Sequence, residues 1–486
     1  MLGWLMGILL ITGGDWDAPQ PQDTVVQAQA STVDTVHRDT LANRMLHVNR
    51  VIIIGNKVTR QRIIDRELSL KPGDSIRAAA LTTTLEWDKN KLYNLRLFNT
   101  VSVRALDMGN NHIDLLVEVT ERWYIFPVPI FELSDRNFSE WWNNYNHDLS
   151  RINYGLRIYK YNFRGRNESL RLTAQFGFYR RFDIQYRIPN IDRTQKHGLT
   201  FNLDFGAPRN MAYQTVDHRL EFLRQDRTVK ETYGAGITYS YRKSFFETHA
   251  ITYNYRNTEV LDTVLTLNPN FNSFGKPKQQ YSQLSYYFVS EHRDVVLYPL
   301  RGYQFTAYAS RNGLLPQDDL NQWELNLTYA VHTSVGKSYF LSNFSSVFWS
   351  TPVNQPYSAY DALGYRNLVI RGFENYVVEG PAFALNKTTF KRKIFGRNWT
   401  IPNMPIEQFN YFPLALYLKV YADFGYVQNY AYYQEKDLNT RLSNRMLLGA
   451  GAGLDIVTVY DLVIRMEYTF TQDQKGGFFL NARKEF

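Results

Sequence analysis

Between Ala415 and Val427 the chain reads as a strand whose two faces differ in chemistry. Leu416, Leu418, Val420, Ala422, Phe424 and Tyr426 form one face, and Lys419, Tyr421, Asp423 and Gly425 form the other. Successive side chains of a strand point to opposite sides, so Asp423 is a carboxylate on the polar side of a wall whose other side is apolar. The chemistry available there is ion pairing and hydrogen bonding. Covalent catalysis has no comparable signal: nine His are scattered, there is no Cys, and H-E-x-x-H, G-x-S-x-G and P-loop patterns are missing. Glu291-His292-Arg293-Asp294 stands just before a Pro/Gly turn and reads as a solvated strand end. The lack of Cys removes disulfides, thiolate zinc sites and thiol nucleophiles together. Neither an enzyme, a metal site nor a cofactor is expected. Gly449-Ala-Gly451-Ala-Gly453 does not have dinucleotide spacing, and its flanks read as strand. Its glycines lie opposite Leu448, Ala450, Ala452, Leu454 and Ile456, on a polar face where another backbone can come close.

The elements that position these residues follow from period two. From Arg122 onward, apolar and polar residues alternate for more than 300 positions, as in Leu199, Phe201, Leu203 and Phe205 against Thr200, Asn202, Asp204 and Gly206. One such strand fits any antiparallel sheet. A long series of them, rich in Tyr, Phe and Trp at the strand ends and closing on Phe486, fits a membrane barrel with interfacial girdles. Aromatic residues make up 15% of the chain and mean hydropathy is −0.40. After the first eleven or so residues no apolar run approaches the roughly 18–20 that a membrane helix needs. The candidate strands exceed by one the even number that a bacterial barrel takes. The weakest, His218–Arg224, reads as a loop extension of its neighbour, and dropping it leaves a transmembrane β-barrel of 16 antiparallel strands over 122–486.

Ahead of the barrel the period is different. Residues 1–30 read as a signal peptide, with Leu2–Ile11 as its apolar segment, and 31–46 as a polar linker. Residues 47–121 predict a small β-α-α-β-β unit: a strand over His47–Gly55, a helix after a Thr59 cap, the turn Leu70–Asp74, a helix over Ser75–Leu95, and strands at Val101–Ala105 and Ile113–Thr120. A net charge of +9, from 55 basic and 46 acidic residues, is spread along the chain without a basic tract. Nucleic acid is therefore not an expected partner.

Several passages resemble the outer-membrane superfamily that includes BamA, TamA and the two-partner-secretion translocators. In 47–121 these are Gly55-Asn56 after an apolar strand, Arg66–Asp74, Asn94–Val103 and Leu115–Glu121. They are similar to a polypeptide-transport-associated (POTRA) domain, here a single one. In the barrel, Arg371-Gly372-Phe373 resembles the motif at the tip of the family's sixth extracellular loop, which folds back into the lumen and here spans about 350–386. Tyr421-Ala-Asp423-Phe-Gly425 resembles the motif of strand 13, and Arg293-Asp294 with Tyr298–Gly302 resembles the periplasmic turn before strand 9. The resemblance implies an Arg371–Asp423 ion pair that pins the loop inside the barrel, since a guanidinium fork suits a carboxylate. Gly372 would let the loop tip approach the wall, and Gly449, Gly451 and Gly453 would seat it.

The first barrel strand, Arg122–Phe131, holds Pro127 and Pro129. Their two missing donors point to the same neighbour, predicted to be the C-terminal strand that carries Phe486. That makes the first–last seam thin, as a lateral gate requires. The implied function is assembly or translocation of other proteins at a Gram-negative outer membrane, with the POTRA unit in the periplasm. Its partners would be unfolded or exported clients, outer-membrane lipid and accessory lipoproteins. A passive channel or porin is the alternative, and the N-terminal unit argues against it.

Overall fold

The computed structural model describes residues 43–133, 149, 152–365, 368–400, 410–458, 462–472 and 476–484. The expected signal peptide, most of the expected linker and Phe486 lie outside them.

The N-terminal unit has one strand more than the sequence predicts. Its order is β1 (Met45–Ile54), α1 (Gln61–Asp65), β2 (Ser75–Arg77), α2 (Ala78–Asn94), β3 (Phe98–Gly109) and β4 (His112–Glu121). The sheet runs β2-β1-β4-β3, with β1 and β4 parallel. Ser75–Arg77, expected as the first helical turn, pairs with Met45–His47 instead. Thr59 is not a helix cap: α1 begins after Arg60 with no side-chain cap. The Thr59 hydroxyl instead meets the Tyr124 hydroxyl at 3.2 Å and accepts from Asn162 Nδ2 at 2.8 Å, tying this unit to the barrel. Ile63, Ile64, Leu92, Leu97, Phe98 and Val117 form the buried core between helices and sheet.

Among the described residues that follow, sixteen strands form one antiparallel sheet in sequence order, beside two short two-stranded pairings. His218–Arg224 is left out of it. That segment forms a separate hairpin, Arg219–Arg224 with Asn210–Val216, that extends the loop after the fifth barrel strand (His197–Pro208).

Burial follows the alternation. In the thirteenth barrel strand (Tyr411–Gln428), Leu418 and Val420 are 51% and 53% exposed while Lys419 and Asp423 are 3% and 0%. An apolar outside and a packed polar inside invert the arrangement of a soluble sheet. Exposed aromatics form two bands. Tyr239, Tyr303, Tyr329 and Tyr339 lie toward the rim that bears the N-terminal unit, and Tyr233, Trp323, Trp349 and Tyr426 toward the far rim. Ile237, Leu325, Leu327 and Val347 lie outward between them. No helix among the described residues is long and apolar enough to cross a membrane.

The N-terminal unit sits on one rim. Arg242, at the end of the sixth barrel strand (Lys230–Arg242), donates through both terminal nitrogens to Glu67 at 2.6 and 2.8 Å. Asn94 donates to the Asp294 carbonyl at 3.1 Å and accepts from the Val296 N–H at 3.2 Å. The Lys91 ammonium lies 3.8 Å from the centre of the Phe245 ring. The Glu291–Asp294 segment takes part in this rim, and His292 is stacked between Phe246 and Tyr303, with centroids 4.3 and 4.5 Å away.

Candidate functional site

Two features stand apart from an ordinary closed barrel: a long loop folded into the lumen and, among the described residues, a seam without a ladder.

The loop joins the eleventh barrel strand (Tyr339–Thr351) to the twelfth (Ala382–Thr400). At its innermost point Arg371 meets Asp423. Arg371 Nε donates to Asp423 Oδ2 at 2.8 Å, a terminal nitrogen donates to Oδ1 at 2.5 Å, and the Arg371 backbone N–H donates to Oδ2 at 3.0 Å. One fork and one backbone donor thus give a fully buried carboxylate three hydrogen bonds. The Tyr421 ring lies beneath the guanidinium, 3.7 Å from its carbon, a cation–π contact. Tyr421 is held in turn by Thr469, hydroxyl to hydroxyl at 2.6 Å. Phe373 anchors the loop in an apolar cluster with Leu363, Ile370, Phe383, Leu385 and Val427.

Backbone geometry explains two glycines. Gly372 has φ +93°, and a Cβ there would also press on Thr469 and Thr471. A Cβ on Gly449 would stand 1.9 Å from the Arg371 carbonyl oxygen, so the loop tip passes directly over that strand. Gly425 makes room for Ile370 of the loop. Gly451 and Gly453 behave differently from the expectation. Gly451 makes room for the Tyr421 phenol and the Tyr468 carbonyl, and Gly453 for Met466, Glu467 and Lys419. They seat the wall's own groups, not the loop.

The polar network extends further than any motif in the sequence indicates. Arg371 also reaches Glu467 at 3.5 Å, and Glu467 accepts from Lys419 at 2.7 Å. Lys419 pairs with Asp455, which accepts from the Tyr298 hydroxyl at 2.8 Å. Lys387 stands 3.8 Å from Asp423 and donates to the Val369 carbonyl at 2.8 Å. Three cations and three carboxylates meet in it, with Lys391 and Arg465 close enough to share their field. The Arg371 motif, the Asp423 strand and the Tyr298 turn, separate in sequence, are joined by one network. Register could have revealed it, since Asp423 opposes Gly449 and Lys419 opposes Gly453, but register between strands is not printed in a single sequence.

The seam is the second feature. Each successive pair of strands from the first (Ile125–Leu133) to the sixteenth (Gly476–Lys484) is hydrogen-bonded, yet among the described residues no ladder joins the first to the sixteenth. Tyr161 N donates to Tyr124 O at 2.7 Å. Even-numbered residues of the first strand therefore bond the second (Ile152–Phe163), with which the register is unbroken from Ile125 to Leu133. Pro127 and Pro129, being odd, turn their missing donors to the open side. Phe486, expected at the seam, is outside the described residues.

Beyond the far rim is a cap that the sequence reading missed. Glu379, in the folded loop, is 2% exposed and accepts from Thr215 at 3.0 Å, Tyr365 at 2.9 Å and Tyr433 at 2.5 Å. Burial pushes its carboxyl up to about 7, against the pull of those three hydroxyls. His218, in the turn of the separate hairpin, accepts from the Leu442 N–H at 2.8 Å, and burial, helped by Arg441, lowers it to about 4. Hairpin, folded loop and the segment after the thirteenth strand close over the barrel together.

A barrel with an apolar outside, an ion-paired inward loop, a small α/β unit on one rim and, among the described residues, no ladder at its first–last seam has the architecture of an outer-membrane barrel with a periplasmic domain. The chain belongs to the Omp85 superfamily, whose domain matches residues 162–481. Residues 46–122 match POTRA, described as surface antigen variable number repeat. Among solved structures, the fold is similar to that of BamA from Haemophilus ducreyi lacking POTRA domains 1–3. The identity is 14% and the TM-score 0.50, over 90% of this chain and 83% of that one. It is also similar to CdiB from Escherichia coli, at 10% identity and a TM-score of 0.51, over 90% of this chain and 74% of that one. Comparison with curated proteins finds no match. Barrels of this superfamily are bacterial outer-membrane proteins that insert or translocate other proteins.

Proposed function

We propose that this chain receives unfolded client proteins in the periplasm through its POTRA unit and passes them into or across the outer membrane at the seam between its first and last barrel strands. The seam, unladdered among the described residues and with both prolines turned toward it, carries this reading. An unpaired strand edge is a template for another strand, and a client strand can add to it by backbone hydrogen bonds that tolerate many sequences. β3 offers a second free edge at the outside of the POTRA sheet, suited to first capture. A loop held in the lumen by Arg371 and Asp423, together with a POTRA unit set on the rim, fits a device that stays shut between clients better than it fits a passive channel. Outer-membrane lipid at the seam, and accessory lipoproteins on the POTRA unit, are its further partners.

The test exploits the absence of native Cys. Cysteines are placed singly in Ile125–Leu133 and in Gly476–Leu480, paired across the seam and oxidised in cells, followed by a census of outer-membrane and exported proteins. Cross-linking is expected to deplete a defined set of clients, and reduction to restore them. A cross-linked chain that supports the same census as the reduced one rejects the seam as the route.

A further inference from the structure

The lumenal wall opposite the loop network carries a row of carboxamides. Register places Gln185 opposite Asn202, Asn202 opposite Gly236, Gly236 opposite Asn254, Asn254 opposite Gln283, Gln283 opposite Asn312 and Asn312 opposite Gln322. Seven consecutive strands thus contribute six amides and one glycine to a single line. A Cβ on Gly236 would fall 2.0 Å from Asn254 Oδ1 and 2.7 Å from Asn202 Oδ1, so its two neighbours lean over it and the line is unbroken. The amides are joined head to tail: Asn254 donates to Gln283 at 3.1 Å, Gln283 to Asn312 at 2.7 Å, and Asn312 to Gln322 at 2.9 Å. Gln322 donates to Gln355 of the folded loop at 2.9 Å. The neighbouring row is hydroxylic, with Thr200, Thr238, Thr252, Ser285 and Ser310 in register.

We propose that this amide and hydroxyl wall binds an uncharged oligosaccharide chain inside the barrel. A carboxamide has two N–H donors and two acceptor lone pairs. The head-to-tail bonds use one N–H each of Asn254 and Gln283, so each keeps another donor and acceptor to offer. The loop covers only the Asn312–Gln322 end, which is buried, while Gln185, Asn202, Asn254 and Gln283 are half-buried and line a cavity of about 530 Å³ with Tyr281 and Tyr308. Charges stand at the margins of this wall, at Asp204, Arg256 and Glu324, and not within the amide row. Sugar hydroxyls both donate and accept, as this wall does. Spacing separates a glycan from a polypeptide. The amides repeat at the strand spacing of about 4.8 Å, whereas like-facing groups of an extended peptide repeat at about 6.8 Å and lose register within two steps. One ring of an extended sugar chain fits the shorter repeat.

The purified full chain, in a detergent without a sugar headgroup, is titrated with maltoheptaose and with cellohexaose and followed by saturation-transfer NMR. Saturable binding of at least one is expected. It should weaken about tenfold in the Asn254→Ala, Gln283→Ala double variant and about fivefold in Asn202→Ala, as expected for lost hydrogen bonds of ordinary strength. Heat-modifiable migration checks that both variants keep the barrel. No saturable binding to the unaltered chain overturns the proposal. So does equal binding by the folded variants, and so does tighter binding of a neutral hexapeptide than of either oligosaccharide.

Discussion

Replacing Asp423 by Ala tests the loop lock directly. The substitution removes three hydrogen bonds to Arg371 at 2.8, 2.5 and 3.0 Å and leaves a buried guanidinium. Breaking a buried pair by deleting one partner costs about 3–5 kcal/mol, most of it from the stranded charge. Glu467, 3.5 Å from Arg371, still shares that charge, so the lower end applies. About 3 kcal/mol moves the balance between folded-in and released loop by roughly two powers of ten. The readout is Leu385→Cys, the sole thiol in the chain. Leu385 is buried in the wall beneath the loop, in the apolar cluster with Ile370 and Phe373 and outside the polar network. With the loop in place a thiol reagent has no access, and with fast reclosing the labelling rate follows the released fraction. Labelling is expected to quicken about a hundredfold in Asp423→Ala. Equal rates with and without Asp423 would refute the lock. The charge swap Asp423→Arg with Arg371→Asp should recover only part of the protection. Lys387 and Glu467 are placed for the original polarity, so the new arginine would face a lysine and the new aspartate a glutamate. A swap that recovers none, where each single change also abolishes protection, would mean that the pair itself is not what holds the loop.

Gly449→Ala places a methyl group 1.9 Å from the Arg371 carbonyl oxygen; it should expose the same thiol without touching any charge, and unchanged labelling would show that the tip does not ride on this strand. Glu379 and His218 give the far cap opposing pH dependences. Glu379 is raised to about 7 from the usual carboxylate range, so its contribution is full at low pH and is lost as pH rises through 7. His218 is lowered to about 4, so its neutral form favours the closed cap as pH rises from 4 toward 6.5. Loop proteolysis should therefore vary little between pH 5 and 6.5 and quicken by pH 8. Glu379→Gln should abolish that late rise and uncover protection that grows from pH 4 to 6.5; a profile that the substitution leaves unchanged counts against the reading. Arg242→Ala removes both bonds to Glu67 and should speed cleavage of the segment joining POTRA to barrel several-fold, with the barrel's heat-modifiable migration unchanged.

What a single sequence reveals here depends on the range of the interaction. Alternation is local, so the faces of the thirteenth strand, the strand count and the exclusion of His218–Arg224 from the barrel are all legible. Arg371 and Asp423 could be paired because each sits in a short recognisable pattern. Lys419, Asp455 and Glu467 carry no such pattern. Their meeting depends on the stagger of three strands, and moving one strand by a single residue would turn these charges toward lipid. Ser75–Arg77 looked helical because its edge pairing with Met45–His47 is set by tertiary contact rather than by propensity. Glu379 was invisible because its partners at Thr215 and Tyr433 lie 164 and 54 residues away.

The position of the lock bears on the seam. Every charge in the network belongs to the loop or to strands twelve to fifteen, and strand fifteen (Leu462–Thr471) is the one that pairs with the seam strand. Glu467, which ties Arg371 to Lys419, stands directly opposite Phe479 of the sixteenth strand in the register. Thr469, which holds Tyr421 beneath the guanidinium, stands opposite Gly477. The loop therefore grips the side of the barrel that borders the seam, while the amide row occupies strands four to ten on the other side. Releasing Arg371 would strand charges on the strand that must shift if the sixteenth strand is to swing outward. On the proposed route, loop and seam would behave as one two-state element. A client favouring the open edge would also have to overcome the loop's grip, and a substitution that loosens the loop should lower the barrier at the edge without altering the edge itself.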